Sequence, residues 1–224
     1  MNPAGKSSFR YAFPAIAGLC AIGLLAACGK TDSASSGAAP QAQSPCVLPR
    51  IAPNAEYSEN DNRLFSAAVA GDVSAAAQAI EQGANVNAIG ALKRTPLFAA
   101  AFCDRPDVVK LLLGKGAKHD AIDSNGMSPL HAAVVVGGAE AAKLLIASGA
   151  NINGRDGTWR TALHVAAATN QMSLVELLLE AKANAAARDK NGMTAAALAT
   201  ENGHSTLATA IRQAQEKQKT RPPK

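Results

Sequence analysis

Cys28, His131, His164 and the pair Cys46/Cys103 are the residues whose type and setting could do chemistry here. Cys28 stops an uncharged apolar run, residues 11–27, and Gly29 and Lys30 follow it. An ionised thiol is a strong nucleophile, and this one stands where an apolar segment ends. His131 and His164 lie 33 residues apart. Imidazoles are common metal ligands, so a matched step raises a metal site if whatever repeats at that interval brings both rings to one side. Cys46 and Cys103 would pair in an oxidising compartment and stay thiols in a reducing one. Familiar catalytic patterns do not accompany them: the sequence has no GxSxG, HExxH, P-loop or CxxC. Gly114-Lys115-Gly116 reads as a helix end rather than a phosphate cradle.

The chain that must position these groups has 224 residues, 48% of them apolar and only 4% aromatic. Such a core is built of small side chains in close-packed helices. The formal net charge of +5 resides at the ends, with Lys6 and Arg10 before Cys28 and Lys217, Lys219, Arg221 and Lys224 at the close. Between Glu56 and Arg212, 14 Lys/Arg face 15 Asp/Glu, a net of −1. A nucleic-acid reader concentrates positive charge on a face of its folded domain. This domain does not, so nucleic acid is not an expected partner.

The strongest pattern is a repeat. TPLFAAA begins at Thr95, SPLHAAV at Ser128, TALHVAA at Thr161 and TAAALAT at Thr194, each 33 residues after the last. Gly83-Ala84, Gly116-Ala117, Gly149-Ala150 and Lys182-Ala183 keep the same step, and NRLFSAA at Asn62 extends it backward. Thr95, Ser128 and Thr161 can accept from free amides at a helix start, and Pro96 and Pro129 suit the first helical position. Gly71 and Gly137 end that helix. A second helix carries Val109, Leu112 and Leu113, or Val175, Leu178 and Leu179, on its apolar face and stops at Gly83, Gly116 or Gly149. Loops with Asn87, Asn125-Gly126 or Asn191-Gly192 then turn back at right angles. No repeat buries its core alone, so the stack is the folding unit.

Period and motif resemble the ankyrin repeat over residues 58–212, most closely in NGMSPLHAAVVVGGAEAAKLLIASGANIN, residues 125–153. The resemblance implies an all-α ankyrin-repeat solenoid of about five 33-residue helix–turn–helix/loop repeats, occupying residues 56–212. Its first and last repeats read as caps: Arg63 replaces the proline, and Ala196 and Ala197 replace the leucine and histidine. Residues 213–224 read as a disordered basic tail.

The same resemblance puts His131 and His164 in the histidine slot of the TPLH motif, where imidazole hydrogen-bonds backbone between repeats, so no metal site is expected. His204 fills another frequent ankyrin histidine position, and His119 reads as a solvated loop residue. No cofactor is implied, and the expected activity is protein binding without catalysis. Ankyrin domains contact partners through loop tips and the groove-facing side of the first helices. By register those positions are Leu92, Arg94, Phe102, Met127, Val135, Val136, Trp159, Arg160, Thr169 and Met193. Several should be polar if solvent were their only neighbour, and Trp159, the single tryptophan, stands where the family places a turn glycine. Trp, Met, Phe and Arg are typical interface anchors. The open alternative is that Phe102 and the valines pack within the stack or beneath the N-terminal segment.

Residues 1–10 carry two positive charges and no negative one, and the uncharged run of 17 residues after them is short for a spanning helix of roughly 20. Residues 1–27 therefore read as a secretory signal. Leu25-Ala26-Ala27-Cys28 resembles the lipobox of bacterial lipoproteins. In that family the cysteine thiol receives a diacylglyceryl group, the bond before it is cut, and the new amino terminus is acylated. The resemblance implies that Cys28 becomes the first residue and the membrane anchor, since several acyl chains hold where one is marginal. Gly29, not Asp, implies the periplasmic face of the outer membrane. Residues 28–55 read as a lipid-anchored disordered tether with a reach of about 30 Å. Cys46 and Cys103 are then the cysteines left in an oxidising periplasm; for them to pair, CVLPRIAPNAEY must run back along the first repeat. The resulting expectation is a monomer that binds a periplasmic or envelope protein as a scaffold or accessory factor. The alternative is an immunity or inhibitor protein that occludes a periplasm-acting toxin or enzyme.

Overall fold

The computed structural model describes residues 58–220. The expected signal, the lipidation residue Cys28, the tether and Cys46 lie outside the described residues. Ten α-helices follow in pairs among them. The pairs are α1 (Glu59–Ala70) with α2 (Val73–Glu81), α3 (Pro96–Phe102) with α4 (Pro106–Gly114), and α5 (Pro129–Val136) with α6 (Ala139–Ala147). Then come α7 (Ala162–Ala168) with α8 (Met172–Glu180), and α9 (Ala195–Glu201) with α10 (Ser205–Lys219). One 3-10 turn at Ala91–Lys93 and one isolated bridge, Arg188 to Thr194, complete the regular structure of the described residues. Odd-numbered helices touch one another in chain order, as do even-numbered ones, giving an inner row and an outer row. This is the five-unit stack that the 33-residue step predicts.

Local chemistry sets the helix starts. Ser58 Oγ accepts from Asp61 N at 3.0 Å and Thr95 Oγ1 from Phe98 N at 3.2 Å. Pro96 and Pro129 sit in the first turn, where a missing N–H leaves no bond unmade. α1 and α5 end on Gly71 and Gly137 in the left-handed conformation, which an L side chain disfavours.

The core is a set of register columns. Leu64, Leu97, Leu130 and Leu163 repeat at the 33-residue step in the inner row, and Leu112, Leu145, Leu178 and Ile211 repeat it in the outer row; all are fully buried. Burying each is worth about 1.5–3 kcal/mol relative to exposure. Between them Ala100, Ala133, Ala166 and Ala199 are also fully buried. A methyl at every step lets neighbouring inner helices approach closely, which explains the Ala-rich, aromatic-poor composition.

The C-terminal boundary differs from the expected tail at 213–224. α10 continues through Lys219, and Gln218 reaches back to accept from Ala185 N at 3.1 Å and donate to Ala183 O at 2.7 Å. Residues 213–219 are all good helix formers, and the Gln218 amide satisfies two backbone groups of the loop after α8.

Candidate functional site

Each outer helix leads through a hairpin into the next inner helix; the hairpins cover residues 85–94, 118–127, 151–160 and 184–193. An aspartate folds three of them from inside. Asp123 Oδ1 accepts from Asn125 N and Met127 N, Asp156 Oδ1 from Thr158 N and Arg160 N, and Asp189 Oδ1 from Asn191 N and Met193 N, all at 2.7–3.0 Å. Main-chain bonds then join hairpin to hairpin. Ser124 N donates to Leu92 O at 2.8 Å, Gly157 N to Asn125 O at 2.7 Å, and Lys190 N to Thr158 O at 3.0 Å. A second ladder runs behind them, with Asn87, Asp120 and Asn153 side chains accepting from the amides of Lys118, Asn151 and Asn184. The hairpin edge is thus a preorganised surface, which lowers the ordering cost of binding.

The histidines hold this edge to the helices. His131 Nε2 lies 3.1 Å from Arg160 O and His164 Nε2 lies 3.2 Å from Met193 O. A carbonyl only accepts, so Nε2 carries the proton and Nδ1 is the acceptor. Ser128 N donates to His131 Nδ1 at 3.3 Å, and Thr161 N to His164 Nδ1 at 3.2 Å. Burial pushes both imidazoles below their ordinary range, against smaller opposing effects of the backbone carbonyls and of Asp156 or Asp189. With both nitrogens of each ring engaged, neither ring has a lone pair to offer a metal. His204 is the N-cap of α10, and His119 Nδ1 stands 3.1 Å from Asp120 Oδ2.

The residues expected to meet a partner fall into two groups. Leu92, Arg94, Met127, Trp159, Arg160 and Met193 lie on the hairpin edge, while Phe102, Val135, Val136 and Thr169 lie at the far ends of the inner helices. An inner helix of seven or eight residues separates the groups by about 10–12 Å. Several already have internal partners. Arg94 Nε is 3.4 Å from Asp123 Oδ2, and its guanidinium lies 4.9 Å and 5.5 Å from the ring centroids of Phe98 and Phe102. Arg160 Nε is 3.6 Å from Asp189 Oδ2. Phe102 and Met127 pack half-buried against the core, and Val135 and Met193 are half-buried. Val136 and Thr169 are exposed, the Thr169 hydroxyl donating to Val165 O at 2.9 Å.

Leu92 and Trp159 stand apart: they are 48% and 52% exposed, with left-handed backbone at φ 57° and 63°. The register equivalents of Trp159 are Lys93, Gly126 and Gly192, all left-handed. The Arg155 guanidinium lies 5.7 Å from the Trp159 ring centroid. Ile89 and Ile122, outside the expected set, are 60% and 58% exposed on the same edge. The signal was present, since they keep the 33-residue step and continue into Arg155 and Arg188. Cys103 caps the end of α3 and is buried; its expected partner Cys46 is outside the described residues. The described residues contain no group of three or more His, Cys, Asp or Glu placed to hold a metal ion.

A family model of ankyrin repeats in three copies matches residues 64–156, and one of many copies matches residues 137–179 and 163–210. Together they span residues 64–210, about two-thirds of the chain. No curated protein matches the chain.

Proposed function

This chain belongs to the ankyrin repeat family, and on that premise we propose that it binds a periplasmic or envelope protein through its hairpin edge, as a lipid-anchored scaffold or accessory factor without chemistry of its own. Ankyrin repeats are protein-interaction modules, and the family is generally non-catalytic.

Trp159 carries the proposal. Left-handed backbone costs an L residue about 1–2 kcal/mol, and an exposed indole returns little of that to the fold. A bulky side chain kept in a glycine position, half in solvent and next to a cation, has the character of an interface anchor. The lipobox-like Leu25-Ala26-Ala27-Cys28 supports the anchor. Cys28→Ser should release the protein from the membrane or leave it unprocessed; unchanged acylation and fractionation would remove the anchor from the proposal. The burial of Cys103 at a helix end and the presence of one other cysteine after Cys28 support a Cys46–Cys103 bridge. Non-reducing peptide mass spectrometry should recover that pair, and two alkylatable thiols would refute it.

The binding reading is tested with a photo-reactive phenylalanine at position 159 and, as control, at position 143 on outer helix α6, in the native envelope. One protein crosslinked from 159 and not from 143 supports the hairpin edge as the binding site. Equal, diffuse capture from both positions overturns it.

A further inference from the structure

The hairpin edge changes character along its length. Ile89 and Ile122 occupy one register position in the first two hairpins, and Leu92 and Lys93 are exposed at the tip of the first. Arg155 and Arg188 occupy that position in the last two, and Trp159 is exposed beside Arg155. Four of the six exposed large hydrophobic residues of the described chain lie on this edge, the others being Val73 and Val136. Such clustering marks a binding surface rather than scattered surface apolarity.

Arg160 of the second half is engaged by Asp189, but the exposed cations Arg155, Arg188 and Lys190 have no acidic partner among the described residues. The adjacent carboxylates are engaged within the hairpins, Asp156 Oδ1 by the Thr158 and Arg160 amides and Asp189 by the Asn191 and Met193 amides and Arg160. Arg188 donates one N–H to Gly192 O at 2.6 Å, which fixes the side chain and leaves its other donors available. Two held guanidiniums at successive repeats are a pair of forks for carboxylates.

We propose that the hairpin edge receives an extended protein segment whose apolar residues lie on Ile89, Leu92 and Ile122 and whose acidic residues lie on Arg155 and Arg188. This rests on the reading that the edge is the binding site, and it names the chemistry of the partner. Helices pack about 8–10 Å apart, so the three steps from Ile89 to Arg188 cover roughly 24–30 Å, the length of about eight residues of extended chain at 3.3 Å each. Segregation within the 89–122–155–188 column, which Lys93 and Trp159 at the hairpin tips do not follow, decides against a lipid surface. A bilayer presents the same headgroups and tails everywhere, and a docking edge for it would mix apolar and basic residues along its length. A polarised edge is matched by a polarised segment.

The test uses the full-length chain in neutral phosphatidylcholine nanodiscs and two fluorescent twelve-residue peptides of one composition. One has its leucines and aspartates in separate halves; the other alternates them. The segregated peptide should bind about tenfold more tightly, roughly 1.4 kcal/mol. Arg155→Gln with Arg188→Gln should remove most of that preference, and so should high salt; an unchanged circular-dichroism melt certifies the fold of the double variant. Equal affinity for both peptides, or no affinity for either, overturns the inference. Flotation with phosphatidylglycerol vesicles that depends on Arg155 and Arg188, without peptide preference, also overturns it in favour of a membrane. Specific crosslinking from position 159 alongside equal peptide affinities leaves the binding edge standing and removes only its polarity.

Discussion

The inner helix row and the hairpin edge share one 33-residue register but treat it oppositely. Along the inner row the register fixes both backbone and residue: Leu64, Leu97, Leu130 and Leu163 recur in one buried column, and His131 and His164 make the same two bonds one repeat apart. Along the edge the backbone repeats while the side chains change. The bonds from residues 124, 157 and 190 recur without variation, yet the exposed position beside them runs Ile89, Ile122, Arg155, Arg188. Where identity recurs with geometry, packing sets the residue. Where geometry recurs and identity does not, the fold leaves the residue free for recognition.

The largest expected effect lies in the inner row. Leu163→Ala should lower the unfolding free energy by about 2–5 kcal/mol, as other buried leucines do, and should shift the midpoint of urea denaturation for the whole stack. Ile122→Ala on the edge should move it by no more than about 0.5 kcal/mol. Similar losses at both sites would erase the contrast.

A pH titration probes the same row. His131 and His164 are held neutral by burial, so their folded pKa values lie below the ordinary 6.5. The unfolded chain therefore binds protons first. Stability from these rings is fully present above about pH 6.5 and is lost as pH falls below it, at up to about 1.4 kcal/mol per pH unit for each ring. Denaturation between pH 7.5 and 5.5 should show this slope, and His131→Gln with His164→Gln should flatten it. An unchanged slope in the double variant would mean other groups carry it.

The same division governs what was legible in the sequence. Helix positions, caps and the column of leucines could be read because period and buried chemistry coincide. α10 was legible only to Arg212: its last turns, QAQEKQK, carry no apolar period, and Gln218 acts through loop amides 33 and 35 residues away. On the edge, Trp159 was visible as a departure from glycine. The engagement of Arg94 by Asp123 and of Arg160 by Asp189 was not, because each pair spans 29 residues and closes only once two repeats are stacked. Ile89 and Ile122 were missed because an apolar residue in the register resembles core until its exposure is known.

Two glycines in the Trp159 register separate backbone strain from crowding. A Cβ on Gly126 would stand 2.7 Å from Gly157 N, whereas one on Gly192, in the last hairpin, meets nothing within 4 Å. Both are left-handed at φ 75°. Gly192→Ala should therefore cost only the backbone term of about 1 kcal/mol. Gly126→Ala should cost more, because the obstacle is main chain held by the Gly157–Asn125 bond. Equal losses in thermal melts would show that the hairpins yield independently and that the edge is not preorganised.

Trp159→Gly should have a small effect on stability and the largest on binding. Glycine relieves the left-handed strain but frees the unfolded chain. These terms oppose each other, so the melting temperature should hold or rise slightly, within about 1 kcal/mol. The indole packs against Arg155 rather than into the core, so its removal leaves no buried cavity. Capture of the partner should nevertheless fall at least about tenfold, as for other aromatic anchors. A residue that weakens its own fold, or adds nothing to it, is kept for something outside the fold. If Trp159→Gly instead unfolds the stack while capture per folded molecule is unchanged, the tryptophan belongs to the architecture and the edge loses its anchor.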